Sequence, residues 1–468
     1  MDPYERALRR AAELGLDFLG ALPERHVGPR ATADVLADAI GGPIPEDGSD
    51  PVTVIEDMAR QLDPGLVSSA GPRYFGFVIG GALPAAMAAD WLTAAWDQNA
   101  NLHALSPAAA AAEQVAGEWM LDLLGLPATA SVGLPTGAGL GSAVGIAAGR
   151  HALLAREGWD VEARGLYGAP EITVVVGDEV HATVLTALQY LGLGRERLVR
   201  IATDEQGRMR ADALRETVAE ARGPLLVAAQ AGNVNTGGFD PLSEIADAVA
   251  VHPNAWVHVD GAFGLWAAVS PELRHLVAGV ERADSWATDA HKWLNVGYDC
   301  GFVAVRDPEA HRAAMAATFA AYLMQDRAQR ESWEYTFDSS RRARGFALYA
   351  AIRSLGRSGV RELIERCCRL ARRMAEGLAA HPAAEVLNDV VLNQVLVRFH
   401  PAGGDASDEA VDAFTREVIR RVQDEGTAWM GGTTWHGKAA MRISVSGWWT
   451  TDADADRTVE AILRATRA

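Results

Sequence analysis

The sequence predicts an α/β protein: a mostly parallel central sheet with helices on both faces, plus a smaller α+β C-terminal domain. Two observations carry this. Near-continuous apolar runs, EITVVVGDE (171–179), PLLVAAQAG (224–232) and AWVHVDGAF (255–263), alternate with helical stretches at about 181–191 and 242–252. Strands that are apolar on both faces and separated by helices belong to parallel sheets buried on both sides. After Arg306 the pattern turns charged and helical, then mixes strands with helices up to the terminus.

Taken in order, residues 4–22 have helical periodicity, a Pro/Gly-rich connector runs from Leu22 to Pro51, and a second helix covers about 53–62. GPRYFGFVIGGALPA (71–85) reads as extended and turn-rich, Ala108–Ala112 as a helix start, EWMLDLLGL (118–126) as helix, and SAVGIAAGRHALLAREG (142–158) as a helix opened by glycines. MQDRAQRESWEYTFDSS (324–340) has no clear period and is expected to be a mobile loop. Helices at 341–356 and 360–380, the strand VVLNQVLVRF (390–399), a helix at 407–425, the strand AAMRISVS (439–446) and a helix at 453–466 complete the chain. The expected division is an N-terminal helical dimerisation segment (1–80), a large domain (81–355) and a small α+β domain (356–468). Helices 4–22 and 53–62 cannot bury their apolar faces on each other alone, so an intertwined homodimer is expected.

Composition narrows the function. Lys plus Arg is 43 and Asp plus Glu is 61 among 468 residues, a formal charge of −18. That balance argues against nucleic acid or an anionic membrane as partner, because phosphate binding needs a basic patch. The N terminus has no apolar signal core, and the most apolar stretch, Phe75–Ala89, is broken by Gly80, Gly81 and Pro84. The three cysteines, Cys300, Cys367 and Cys368, give neither a disulfide framework nor a zinc spacing. A reduced, cytoplasmic enzyme without metal is the expectation.

PTGAGLGSA (135–143) is a glycine-rich helix start whose amides can cradle an anion, with Ala138, Gly139 and Ser142 as its candidates. It lacks the Lys-Ser/Thr of a nucleotide P-loop and the G-x-G-x-x-G spacing, and no G-x-S-x-G or H-E-x-x-H occurs. Asp260 ends the strand WVHVD, at the carboxyl edge where open α/β sheets bind ligands. Lys292, in WATDAHKWLN, lies between Trp286 and Trp293 in sequence; apolar surroundings would lower its pKa and make it a nucleophile toward an aldehyde. Singly, each has a plain reading as a surface aspartate or a snorkelling lysine. Together with His181 in GDEVHATV (177–184), they supply the four needs of pyridoxal phosphate: an amine, an acid for the ring nitrogen, an anion cradle and a flat group over the ring.

At these residues the chain resembles the group II pyridoxal-phosphate-dependent amino-acid decarboxylases, of transferase fold type I, which include aromatic-L-amino-acid and tyrosine decarboxylases. The resemblance spans nearly the whole chain: GPRYFGF (71–77), Ser106–Ala108, VHVDGAFG (257–264), ADSWATDAHKW (283–293), YDCG (298–301) and SRRARGF (340–346). It implies that Lys292 binds the cofactor aldehyde with His291 beside it. It also implies that Asp260 keeps the pyridine nitrogen protonated, Ala262 packs on one ring face and His181 stacks on the other.

Three positions depart from the family pattern. Gly139 replaces a hydroxyl residue, leaving the phosphate to backbone amides and Ser142; Asn233 replaces a threonine near the ring; Asp289 replaces an asparagine. A carboxylate beside a phosphate repels it, so Asp289 is expected to face elsewhere or act through a water. The family's lid tyrosine, which protonates Cα, falls on Ser332 in a gapless placement, which makes Tyr335 or Tyr322 the candidate donor.

In the resembling dimers, a partner loop corresponding to WDQNANLHALSPA (96–108) lines the substrate pocket. Here it carries Asn99, Asn101 and His103 instead of bulky apolar residues. Leaving polar groups unpaired against an apolar ring costs about 1–3 kcal/mol each, which points to a substrate with a polar end unless these groups bond to protein or water. Phe77, with Phe75, Trp91 and Trp96, keeps an aromatic substrate in view. The function implied is decarboxylation of an aromatic or similar L-amino acid to an amine, in a homodimer with active sites at the interface. The alternatives are an aldehyde-forming oxidative deaminase, or an aminotransferase or lyase, with Arg442 as the carboxylate clamp an aminotransferase needs. Retention of Lys292, Asp260 and His181 together argues against a non-catalytic subunit.

Overall fold

The computed structural model describes residues 2–316, 330–403 and 407–467. The chain packs as two compact units: Gly80–Ala371 with Asn388–Gln394, and Met1–Ile79 with Arg372–Leu387 and Val395–Ala468. The small unit therefore includes the first 79 residues as well as the C-terminal ones. Backbone bonds explain this: Val27 N donates to Gly426 O at 2.9 Å, Phe75 N to Trp429 O at 2.8 Å and Ser444 N to Phe75 O at 2.9 Å.

The large unit is built on a seven-stranded sheet. Its strands are β1 (Ser131–Gly133), β2 (Thr173–Gly177), β3 (Val199–Ile201), β4 (Leu225–Gln230), β5 (Ala255–Asp260), β6 (Ser285–Asp289) and β7 (Gly301–Val305), in the order β1-β7-β6-β5-β4-β2-β3. From β3 to β6 all neighbours are parallel, and β7 runs antiparallel to both β6 and β1. The apolar runs became β2, β4 and β5. The sequence gives no such signal for β6, SWATD, because Ser285, Thr288 and Asp289 are polar yet buried.

Helix Ala138–Arg156 packs on β5, β6 and β7, and two glycines set its approach. A Cβ at Gly145 would lie 2.8 Å from His258 Nδ1, and one at Gly149 2.7 Å from Trp256 Cδ1. Beneath them a buried polar chain closes on itself: Trp256 Nε1 donates to Ser285 Oγ at 2.9 Å, and His258 Nδ1 lies 2.9 Å from the same oxygen.

The small unit carries β8 (Ala384–Val386), β9 (Gln394–Phe399), β10 (Gly431–Trp435) and β11 (Lys438–Ser444), in the order β10-β11-β9-β8. The strand expected from 390 begins only at Gln394, since Asn388 Nδ2 donates to Gln394 O at 3.0 Å and folds the preceding residues into a turn. Helix Asp408–Glu425 is capped by Ser407 and stopped by Gly426 at φ 79°, and helix Asp452–Ala465 by a Thr451–Asp454 capping box. The helices expected at 341–356 and 360–380 run as Gly345–Ala379, interrupted at Gly356 with φ 61°. The connector between Leu22 and Pro51 holds an unexpected helix, Ala33–Ile40, with no buried residue. Of the loop expected at 324–340, residues 324–329 lie outside the described residues, as does Tyr322, and Ser332–Tyr335 form a 3-10 turn. Among the described residues no helix is long and apolar enough to cross a membrane.

Burial pushes His258 down to about 3, so the folded ring is neutral. Its proton affinity is thus lower folded than unfolded, and folding stability falls as pH drops below about 6.5, by roughly 1.4 kcal/mol per unit until the folded pKa is reached. Urea unfolding of wild type and His258→Gln should show their stability gap narrowing between pH 6.5 and pH 4. A constant gap would mean that the ring is not held neutral by the fold.

Candidate active site

The carboxyl ends of β5 and β6 and the glycine-rich start of helix Ala138–Arg156 converge on one cavity. Asp260, last residue of β5, pairs in register with Gln230 of β4 and Ala287 of β6. Its Oδ1 accepts the Ala262 amide at 3.2 Å. Burial pushes this carboxyl up, while the charges of His181 and Lys292 and the Ala262 amide draw it back.

Asp289, last residue of β6, is 3% exposed and does not face elsewhere as expected. Its Oδ1 accepts the Ala138 amide at 2.6 Å and lies 3.4 Å from His291 Nε2, and its Oδ2 lies 3.0 Å from Lys292 Nζ. The surroundings expected for Lys292 are corrected likewise. Trp286 and Trp293 are fully buried, with Trp286 Nε1 donating to Val280 O at 2.8 Å, whereas the lysine side chain is 20% exposed and ion-paired. Adjacent residues on a turn point apart, so flanking tryptophans in sequence do not enclose the amine.

His181 caps helix Ala182–Tyr190. Its Nδ1 lies 3.3 Å from the Thr183 amide nitrogen and 2.7 Å from Thr183 Oγ1. The cavity is lined by Ala138, Gly139, His181, Asp260, Ala262, Asp289 and Lys292 together with Thr183, Gln230, Gly232, Val234 and Phe263. Of the residues missed, Gln230 had a signal: it is the polar end of an apolar strand, in the same register row as Asp260.

Other candidates stand outside this lining. Asn233 turns its Oδ1 to the amides of Asn235 and Thr236 at 2.8 and 3.2 Å, and Ser142 is buried one turn into the helix. His291 Nδ1 accepts the Cys300 amide at 3.2 Å, its ring lies 4.3 Å from that of Tyr298, and burial lowers its pKa. Tyr335 is buried, with the Arg330 guanidinium 4.4 Å from its ring centre and His311 meeting it edge-on at 5.1 Å; burial pushes its phenol up. Asn99 Oδ1 accepts the Arg341 amide at 3.1 Å, Asn101 Nδ2 donates to Ser339 Oγ at 3.2 Å, and the His103 amide donates to Glu331 Oε2 at 2.7 Å. Asn99 thus bonds to protein, whereas Asn101 does so through Nδ2 and keeps a buried Oδ1 without a hydrogen-bond partner among the described residues. Phe77 and Arg442 belong to the small unit, where Phe77 lies 5.6 Å from the Trp429 ring and Arg442 sits opposite Gly431 on β11. Among the described residues, no group of three or more His, Cys, Asp or Glu is placed to hold a metal.

An amine, a buried acid, an imidazole and a helix start around one slot can bind an aldehyde-bearing, flat, anionic molecule. Comparison with known proteins identifies it. Residues 38–400 match the pyridoxal-dependent decarboxylase conserved domain. The chain is similar to an aromatic-L-amino-acid decarboxylase of Bacillus atrophaeus, at 26% identity over 93% of this chain and 89% of that one. It is also similar to tryptophan decarboxylase 1 of Oryza sativa subsp. japonica, at 28% identity over 95% and 90%. The crystal structure of Oryza sativa TDC with PLP and tryptamine superposes with a TM-score of 0.92 at 25% identity, covering 100% of this chain and 98% of that one.

The cofactor of this family is pyridoxal phosphate, and the cavity brings together residue types that suit it: the Lys292 amine, the buried Asp260 carboxyl, the Ala262 methyl and the His181 imidazole. The start of helix Ala138–Arg156 depends on close backbone approach, because a Cβ at Gly301 would lie 2.5 Å from Gly137 Cα. Purified Gly301→Ala should carry well under one cofactor per chain, measured by alkaline release of pyridoxal phosphate, with its circular dichroism retained. Full cofactor content would show that the cradle does not need this approach.

Proposed function

This chain belongs to the pyridoxal-dependent decarboxylase family, and on that premise we propose that it converts an aromatic L-amino acid to its amine and carbon dioxide. The observation that carries the reading is the placement of Lys292, Asp260 and His181 around one cavity. When bound, pyridoxal phosphate supplies a conjugated ring that accepts the electron pair left by the departing carboxylate. Asp260 favours that electron flow by holding a proton on the ring nitrogen. Lys292 would hold the cofactor aldehyde, with its Nζ kept 3.0 Å from Asp289 Oδ2. The imidazole of His181, held by Thr183, would stack on the ring and orient it. Tyr335 is assigned the return of a proton to Cα, which requires the 332–335 turn to carry it from between Arg330 and His311.

The aromatic substrate class is supported by the names of the two relatives above. A homodimer through residues 1–80 is supported by exposed apolar side chains on its helices, Leu8 at 60% and Leu16 at 63%. A cytoplasmic setting is supported by Cys300, Cys367 and Cys368 being buried and outside any disulfide.

Product analysis of a panel of L-amino acids, with and without oxygen, tests the reading. An amine formed equally in both is expected from an aromatic substrate, and Lys292→Ala should be colourless and inactive. A keto acid as product, or aldehyde with peroxide only under oxygen, would overturn it. Tyr335→Phe should shift product from amine toward aldehyde in air, and an unchanged ratio removes Tyr335 from the proton path.

A further inference from the structure

The start of helix Ala138–Arg156 already holds an anion belonging to the chain itself. Asp289 Oδ1 takes the Ala138 amide at 2.6 Å, and Oδ2 takes the Lys292 ammonium at 3.0 Å. A helix-start amide and an ammonium are the two kinds of group that attract a phosphate dianion. At 3% exposure the Asp289 charge is little screened by water or salt. Gly139, which also lines the cavity, has no side chain to offer the phosphate a further donor.

We propose that Asp289 is an internal competitor for the cofactor phosphate, a positioning residue that holds the empty cradle together and lowers the affinity of the site for pyridoxal phosphate. This rests on the cofactor assignment above. The sign of the effect separates competition from a purely structural cap. Removing a cap that only shapes the helix start loosens the cradle and weakens cofactor binding. Removing a competing charge strengthens it.

The experiment compares apoenzyme of wild type, Asp289→Asn and Asp289→Ser, titrated with pyridoxal phosphate and, separately, with pyridoxal, and followed by the visible absorbance of the bound ligand. Pyridoxal has the same ring and aldehyde and no phosphate, so it reads any effect through Lys292 alone. Serine keeps an acceptor for the Ala138 amide without a charge, and thermal melts of each apoenzyme verify folding. Both variants should bind pyridoxal phosphate roughly tenfold more tightly than wild type, the scale on which a like charge a few ångströms away acts. Their affinity for pyridoxal should stay within about twofold, since no like-charge repulsion is relieved there. Unchanged or weaker pyridoxal phosphate binding in folded variants would overturn the proposal, as would an equal gain for both ligands. Wild type binding neither ligand would instead overturn the cofactor assignment.

Discussion

One charged hydrogen bond, from the Ala138 amide to Asp289, joins the two elements on which the site depends. It fixes the helix start against the end of β6, and the same carboxylate holds Lys292 on the turn that follows. The geometry around it permits little slack. Gly137 lies where a Cβ would come within 3.1 Å of His291 Cε1, and Gly301 where a Cβ would strike Gly137 itself. Helix start, strand end and lysine are thereby tied to one another.

A second set of buried charges organises the sequence after the segment that resembles a lid. Arg341 and Glu113, each about 1% exposed, form two bonds of 2.9 and 2.8 Å, and Arg344 bonds Asp299 at 2.6 Å. Buried pairs of this kind add little net stability, because desolvation offsets their attraction, but losing one partner is costly. Their effect is to fix position: they tie residues 341–344 to helix Pro107–Leu123 and to the YDCG turn just after Lys292.

The chemistry follows from contrasts within a small volume. Asp260 and Asp289 end neighbouring parallel strands, yet the first accepts the Ala262 amide and the second takes the Ala138 amide and the Lys292 amine. His181 and His291 are likewise divided, the first held by Thr183 inside the cavity, the second bonded to the Cys300 amide beside it. Identical side chains take different roles because the hydrogen bonds their backbone positions allow are different.

The sequence by itself determined the layered α/β plan, because apolar runs at β2, β4 and β5 are a local signal. It also determined the identities at Lys292, Asp260 and His181, whose chemistry follows from residue type and from their position after strand ends. It did not reveal β6, whose polar residues are buried where helix Ala138–Arg156 packs on the sheet, with Gly145 against Ser285. Nor did it decide whether Asp289 faces elsewhere or acts at the site through a water, since the amide that draws it in lies 151 residues earlier in the chain. The surroundings of Lys292 were misread for the same reason. Neighbours in sequence were taken for neighbours in space, and only tertiary structure decides which charges face each other.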